Sequence, residues 1–263
     1  MINYIKSTIR NLFPARYQVP VKYLYNWLLN DLEKEMSFLK MIVKKQDRVI
    51  DIGGNRGVYA YRFWKLGANV EVFEPNPLCA IVLSVWAADK INVQVHSVAL
   101  SSTSSSAYLH IPVDDSGIEH DASASIENNT FTHARDQLVD LRTLDSYNFQ
   151  NVSMIKIDVE GHESSVIDGA EKTLRSSCPA LLIEIEQRHS SNPISEMFDR
   201  IQSFGYHGYF LMNGNLTTLD DFDVGKDQSV ENLGSQQSNY INNFLFLHQS
   251  RLNVGEYKPL IKS

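Results

Sequence analysis

One short stretch, Asp51-Ile-Gly-Gly-Asn-Arg-Gly57, limits what this chain can become more than any other. It grows out of an apolar run, Arg48 to Ile52, and leads into Val58 to Leu66, where apolar residues recur at helical spacing until Gly67 ends the pattern. A buried strand that hands over to a helix through glycines opens a doubly wound α/β fold, and in such folds this turn faces the ligand crevice. The alternation then repeats. Asn69 to Phe73 reads as a strand, Glu74-Pro-Asn-Pro77 as a turn, Leu78 to Asp89 as a helix and Ile91 to Val98 as a third strand. Further on come strand Val152 to Ile157, helix Ser164 to Ser176, strand Ala180 to Ile185 and helix Ile194 to Phe204. Strands alternating with helices predict a mostly parallel sheet covered on both faces. The last two strand patterns, Tyr206 to Met212 and Asn243 to His248, have no helix-length pattern between them and read as an antiparallel pair joined by a polar connection. Between the third and fourth strands lie the Ser101 to Ser106 run, read as solvated loop, and a possible strand, Ala107 to Val113. The polar stretch Asp114 to Arg135 reads equally as plain loop or as a lid over the crevice.

Composition narrows the partners. Against 31 acidic residues stand 24 basic ones, a net charge of −7, so no global basic footprint exists and nucleic acid is not favoured. The two cysteines, Cys79 and Cys178, match no zinc spacing. No apolar run approaches the roughly 18–20 residues of a membrane span and no signal peptide is visible, so a soluble cytoplasmic protein is expected. The first 30 residues differ: Lys6, Arg10, Arg16 and Lys22 precede any acid, and Ile2, Ile5, Ile9, Leu12 and Phe13 recur at helical spacing up to Pro14. Such a basic amphipathic helix can lie on an anionic membrane, which would place the protein peripherally at the inner membrane surface. The plainer expectation is that it packs on its own domain or on a second subunit of a homodimer. A second helical pattern, with Leu24, Trp27, Leu28, Leu32, Met36 and Leu39 as its stripe, covers Val21 to Lys45.

The chemistry of the glycine turn selects its ligand. No Gly-Lys-Ser/Thr follows, so the turn is not a Walker loop, and Asn55 and Val58 stand where a dinucleotide Gly-x-Gly-x-x-Gly needs glycine. A pyrophosphate wants a helix N-terminus with no carboxylate beside it, whereas Asp51 suits a ligand that brings a cation. At the end of the second strand Glu74 can accept hydrogen bonds from both ribose hydroxyls. An acid for an ammonium and an acid for a ribose describe S-adenosylmethionine better than NAD. Taken singly, each also reads as a strand-end cap or a turn acid.

With these residues in place, the chain resembles the FkbM family of class I methyltransferases. The likeness rests on Asp51-Ile-Gly-Gly-Asn-Arg-Gly-Val-Tyr59, Phe73-Glu-Pro-Asn-Pro77 and Ile155-Lys-Ile-Asp-Val-Glu-Gly-His-Glu163, with Leu182-Ile-Glu184 in the next strand. It implies a Rossmann-like, doubly wound, mostly parallel seven-stranded sheet with an antiparallel last strand, and S-adenosylmethionine as donor. It commonly implies O-methylation of a carbohydrate, glycoconjugate or natural-product hydroxyl. Residues 1–46 would form an N-terminal helical segment, 47–249 the methyltransferase domain and 250–263 a tail. Gly54 stands where the family usually has Ala, a small-for-small exchange. By this likeness Asp51, Gly53, Gly54, Asn55, Gly57, Glu74, Pro75 and Asn76 hold the donor, with the adenine against Val98 and Ala99.

The cluster Asp158-Val-Glu-Gly-His-Glu163 follows an apolar strand and falls at the sheet edge next to the transferred methyl group. Methylating a hydroxyl needs an aligned oxygen and a place for its proton. His162 is the candidate base by its ordinary pKa, with Asp158 sharing or orienting that role and Glu160 beside them. Glu163, Glu184 and Arg188 are candidate acceptor contacts; Glu184 is unusual within an apolar strand and is expected to pair with a cation or face the cleft. A divalent metal at these carboxylates is possible but not favoured, because carboxylates alone do not define a site. The bland alternative makes Asp158 and His162 helix-end residues only. The functional alternative is a non-catalytic nucleoside- or nucleotide-binding module on the same fold.

Overall fold

The structure, a computed structural model, describes residues 13–127, 133–229, 231 and 240–261. Most of the expected amphipathic helix at Ile2–Phe13 lies outside the described residues. Helix α1 (Ala15–Leu28) starts directly after Pro14, which serves as its N-cap, and carries Pro20 in its interior. The long helical pattern from Val21 to Lys45 therefore resolves differently. Asn30, at φ 53°, breaks it, and a 3-10 turn (Lys34–Ser37) and a single turn α2 (Leu39–Ile42) follow. The anticipated stripe splits with it: Met36 and Leu39 are buried, whereas Leu24, Trp27 and Leu28 are exposed.

The central unit runs β1 (Arg48–Ile52), α3 (Val58–Lys65), β2 (Asn69–Phe73), α4 (Pro77–Ala87), β3 (Val93–His96), all close to the elements expected from periodicity. A small excursion follows: β4 (Ala99–Leu100), β5 (Ser105–Pro112) and β6 (Ala134–Arg142) form a separate three-stranded sheet in the order β4-β6-β5. The chain then returns through β7 (Val152–Ile157), α5 (Glu163–Asp168), α6 (Glu171–Ser177), β8 (Ala180–Glu184) and α7 (Ile194–Gln202). It closes with β9 (Tyr206–Met212), β10 (Asn215–Thr218), α8 (Val224–Asp227), β11 (Asn243–His248) and α9 (Gln249–Asn253).

The main sheet has the order β3-β2-β1-β7-β8-β11-β9-β10. Strands β3 to β8 in that order are parallel, and β11 is antiparallel to both β8 and β9. Seven of these strands are the ones expected. The eighth, β10, comes from a hairpin whose tip is Asn213-Gly214, both at positive φ, the pair that a tight two-residue turn requires. The expected helix over Ser164–Ser176 is two helices. The break sits at Gly169, where a Cβ would stand 2.0 Å from the Ser101 carbonyl oxygen, so the backbones of the two segments touch there.

Two apolar layers cover the sheet. One joins Ile50, Ile52, Ile155, Ile157, Leu181 and Ile183 to α5, α6 and α7. The other joins Val49, Val70, Val72, Met154 and Leu182 to α3 and α4, and it also takes in Val19, Met36, Phe38, Leu39, Ile42 and Tyr257. The described parts of the N-terminal segment and of the tail are thus built into the core of the sheet. No described helix is long and apolar enough to cross a membrane.

Candidate active site

The strand order reverses between β1 and β7: β1 continues to β2 on one side, while β7 lies on the other. Ligand crevices open at the carboxyl ends of strands at such a switch point. Here the sheet register sets Asp51 of β1 beside Lys156 of β7, so their side chains emerge on one face. Asp51 is 2% exposed and its Oδ2 has no hydrogen-bond partner. Burial pushes its carboxyl up to about 7; Lys156 pulls the other way and Asp158 adds to the rise. Lys156 is fully buried within an otherwise apolar strand. Its Nζ lies 3.8 Å from Asp158 Oδ2 and 3.4 Å from Asn243 Oδ1, over the ring of Tyr59. Burial alone would lower its pKa, yet Asp158, Glu33, Glu184 and Asp51 outweigh that and hold it raised. Sequence reasoning did not single out Lys156; its signal was a lysine inside Met154-Ile-Lys-Ile157, the same anomaly that marked Glu184.

The glycine turn shapes the crevice by what it lacks. A Cβ on Gly53, at φ 79°, would stand 1.7 Å from the Asp158 carbonyl oxygen, so β1 and β7 can end this close together only because residue 53 is glycine. At Gly54 a Cβ would meet Val72 Cγ1 at 2.4 Å. The exchange for Ala is therefore tied in this chain to the size of residue 72. Asn55 donates its N–H to Glu74 Oε2 at 2.6 Å, and Asn76 donates to Glu74 Oε1 at 2.7 Å. Asn76 also caps α4 through its Oδ1. Glu74 is thus clamped between two backbone amides, and burial nevertheless lifts its carboxyl to about 7.

Two cavities meet at these residues. The narrower one is lined by Glu74, Pro75, Val98, Ala99 and Leu100 from the main domain, with Leu109, Ala124 and Ile126 facing them from the excursion. The wider one, about 400 Å³, has Asp51, Asn55, Lys156 and Asp158 in its lining, with Lys22, Glu33, Arg56, Tyr59 and His120 around them. Asp121 lines both, held by Arg56 and by Asn76 Nδ2 at 3.1 Å. The described part of Asp114–Arg135 therefore covers the crevice, as a lid would; the bridges His110–Ser125 and Val113–Glu119 pin it to β5 and the residue after it, and the Glu119–Arg135 ion pair ties it to β6.

The Asp158–Glu163 cluster separates into distinct environments. Asp158 lines both cavities, and its carboxyl is raised by burial, with Lys156 opposing and Glu33, Glu160 and Glu186 adding. His162 lines only the narrower one. Its Nδ1 lies 2.7 Å from Glu127 Oε1 and its Nε2 lies 2.9 Å from Ser101 Oγ, so both ring nitrogens are engaged. Glu160, Glu163, Glu184 and Glu186 gather with Asp158 and His189 in a small acidic cleft. Within it Glu160 binds His189 Nδ1 at 3.1 Å, and Glu163 accepts the Gly161 N–H at 2.9 Å. Glu184 accepts from Asn242 and also faces Lys156, so it both meets a cation and lines a cleft. Arg188 grips Glu186 with two hydrogen bonds, at 2.6 and 2.9 Å. Among the described residues no group of three or more His, Cys, Asp or Glu side chains is arranged to hold a metal ion.

Comparison with known proteins agrees with this geometry. Hexuronic acid methyltransferase AglP of Haloferax volcanii is 29% identical over 211 residues, which are 77% of this chain and 81% of that protein. Among solved structures, the FkbM methyltransferase of Methylobacillus flagellatus KT aligns at 16% identity with a TM-score of 0.49, over 77% of this chain and 44% of that one; the present chain thus spans less than half of that protein. Aeropyrum pernix fibrillarin, solved with bound S-adenosyl-L-methionine, aligns at 12% identity with a TM-score of 0.41, over 81% of this chain and 73% of that one. The family model of the methyltransferase FkbM domain matches residues 51–209, which include the glycine turn, Glu74, Lys156 and the whole Asp158–Glu163 cluster. The chain belongs to the FkbM family of S-adenosylmethionine-dependent methyltransferases.

Proposed function

We propose that this methyltransferase moves the methyl group to a hydroxyl oxygen of a carbohydrate or glycoconjugate acceptor. The observation that carries the reading is the buried, unpartnered Oδ2 of Asp51, set beside Lys156 and Asp158 in the wall of a 400 Å³ cavity. The similarity to a hexuronic acid methyltransferase supports the acceptor class.

The residues present fit the donor. An orphaned buried carboxylate oxygen is costly unless a donor group or a cation completes it, and an ammonium does both. Glu74 keeps a free lone pair on each oxygen for a ribose diol after its two amide contacts. Val98, Ala99, Leu109 and Ile126 offer the adenine an apolar slot. When bound, S-adenosylmethionine supplies a methyl group made electrophilic by the adjacent sulfonium.

The chain's own part is to orient the acceptor oxygen and take its proton. We assign the proton to Asp158, which faces the wider cavity and has Lys156 beside it to favour its ionised form. His162, expected as the base, has no ring nitrogen free and lines the narrower cavity, so its role here is to fix Ser101 and Glu127, the neighbours of wall residues Leu100 and Ile126. To Glu163 and Glu184, which line the acidic cleft, we assign hydrogen bonds from acceptor hydroxyls, while Glu160 and Arg188 are committed to His189 and Glu186 and act by shaping the cleft.

The test is calorimetric titration with S-adenosylmethionine, S-adenosylhomocysteine and NAD(H), followed by a product assay on neutral and uronic-acid-containing saccharide fragments. Binding of the first two, with methylated saccharide formed, is the expected result. Donor binding with no methylation of any saccharide hydroxyl would overturn the acceptor class, and NAD(H) binding alone would overturn the donor site.

A further inference from the structure

The family match begins at residue 51, yet part of the wider cavity wall comes from before it. Two separate contacts fix that N-terminal wall on the site. Val19 of α1 packs against Gly57 so closely that a Cβ there would stand 3.0 Å from Val19 Cγ1. Beyond α1, the buried side chains of Met36, Phe38 and Leu39 root the 3-10 turn and α2 in the core, directly after Glu33.

Glu33 points its carboxylate into the machinery. Its Oε2 accepts the Tyr59 hydroxyl at 2.5 Å and the Asn243 amide at 3.2 Å. Those are two of the groups that surround the Lys156 ammonium: Asn243 Oδ1 lies 3.4 Å from Nζ, and the Tyr59 ring lies beneath it at 5.1 Å. A lysine buried in a strand needs every donor directed, because an ammonium left loose in a low-dielectric site is costly. By fixing the orientation of the Asn243 amide and of the Tyr59 ring, Glu33 fixes where that charge sits relative to Asp51 and Asp158.

We infer that Glu33 is a positioning residue of the active site: through Tyr59 and Asn243 it holds the Lys156 ammonium against Asp158, which makes the N-terminal segment a working wall of the acceptor cavity. The inference rests on the methyltransferase reading for its chemistry, but its test does not depend on finding the acceptor.

The full chain would be labelled with ¹⁵N-lysine and the slowly exchanging side-chain ammonium of Lys156 observed by NMR, assigned by its loss in Lys156→Met. In Glu33→Gln and in Tyr59→Phe that signal should shift or broaden away while the fold is retained. Donor binding is then measured against pH in the same variants. The charged neighbours of Asp51 and Asp158 are Lys156, Glu33, Glu74, Glu160, Glu163, Glu184 and Glu186, besides each other. Removing the negative charge of Glu33 should move the acid limb of the curve down by about half a pH unit, roughly a 3-fold change in proton affinity. Tyr59→Phe keeps that charge and should leave the limb in place. A wild-type protein without an observable Lys156 ammonium, or a folded Glu33→Gln with both signal and acid limb unchanged, would overturn the inference. An altered Lys156 signal in a protein that binds no donor would instead count against the proposed function and leave Glu33's role standing.

Discussion

Replacing Asp51 by Asn should move stability and donor binding in opposite directions. In the folded chain the Asp51 carboxyl is raised from 3.8 to about 7, chiefly by burial. A folded-state pKa above the unfolded one means that the folded state binds the proton more tightly, so stability falls as pH rises from about 4 through about 7. A difference of about 3 units at 1.36 kcal/mol each gives an upper bound of about 4 kcal/mol held against the free protein at alkaline pH. Asn removes that penalty. At 2–4 °C per kcal/mol for a chain of this size, Asp51→Asn should melt several degrees, at most about 16 °C, above wild type at pH 8.5, with the gap closing toward pH 4. The same substitution deletes the anion proposed to receive the donor's ammonium. Losing one partner of a buried charge pair costs about 2–5 kcal/mol, so S-adenosylmethionine should bind about 30-fold to several thousand-fold more weakly. Thermal melts across the pH range and calorimetry at pH 7.5 read the two effects separately. An Asp51→Asn protein that melts lower than wild type at pH 8.5, or that binds the donor with wild-type affinity, would refute the reasoning.

Other substitutions test other parts of the site. Gly54→Ala should cost about 1–3 kcal/mol through overpacking against Val72, and Val72→Ala in the same chain should recover part of it, as judged by denaturant midpoints. His162→Ala should weaken donor binding about 3- to 10-fold by releasing Ser101 and the half-exposed Glu127, a net cost of about 1 kcal/mol, and leave kcat at saturating donor nearly unchanged. A drop confined to kcat would return the base to His162. In wild type, kcat should rise with pH as Asp158, whose carboxyl burial raises, loses its proton; Asp158→Asn should lower kcat by 10²-fold or more, about the usual worth of a general base, and remove that limb.

The main sheet was legible because β1, β2, β7 and β8 are short, mostly apolar runs bounded by turn residues, the pattern of a sheet covered on both faces. The donor loops were legible for a related reason: a glycine pair, an acid before it and an acid at the next strand end have few uses together. Strand β6 was missed because its inward residues, Val139 and Leu141, alternate with Asp140 and Arg142 in a polar stretch, and its partner Ala99 belongs to a distant segment. The β9–β10 hairpin carries a local signal, Asn213-Gly214, within an otherwise polar connection. Lys156 and Glu33 stayed hidden for a stronger reason. Glu33 is not unusual by local spacing, and although Lys156 interrupts an apolar strand, each acquires its role from residues more than 80 positions away, Asn243 in both cases. The split of Asp158–Glu163 between two cavities and a cleft was also beyond sequence, since consecutive residues leave a strand end in different directions.

The pairing of Asp51 with Lys156 is a property of the β1–β7 ladder itself. The two residues face each other on one rung, and a slip of one position would send one of them to the opposite face. The tolerances of the two ends of the cleft are therefore decoupled. Sequence drift at rim positions such as Lys22 and His120 reshapes the mouth of the wider cavity without altering that rung. Exchanging such rim residues on this one frame should change which acceptors bind while the spacing of Asp51 and Lys156 stays as it is.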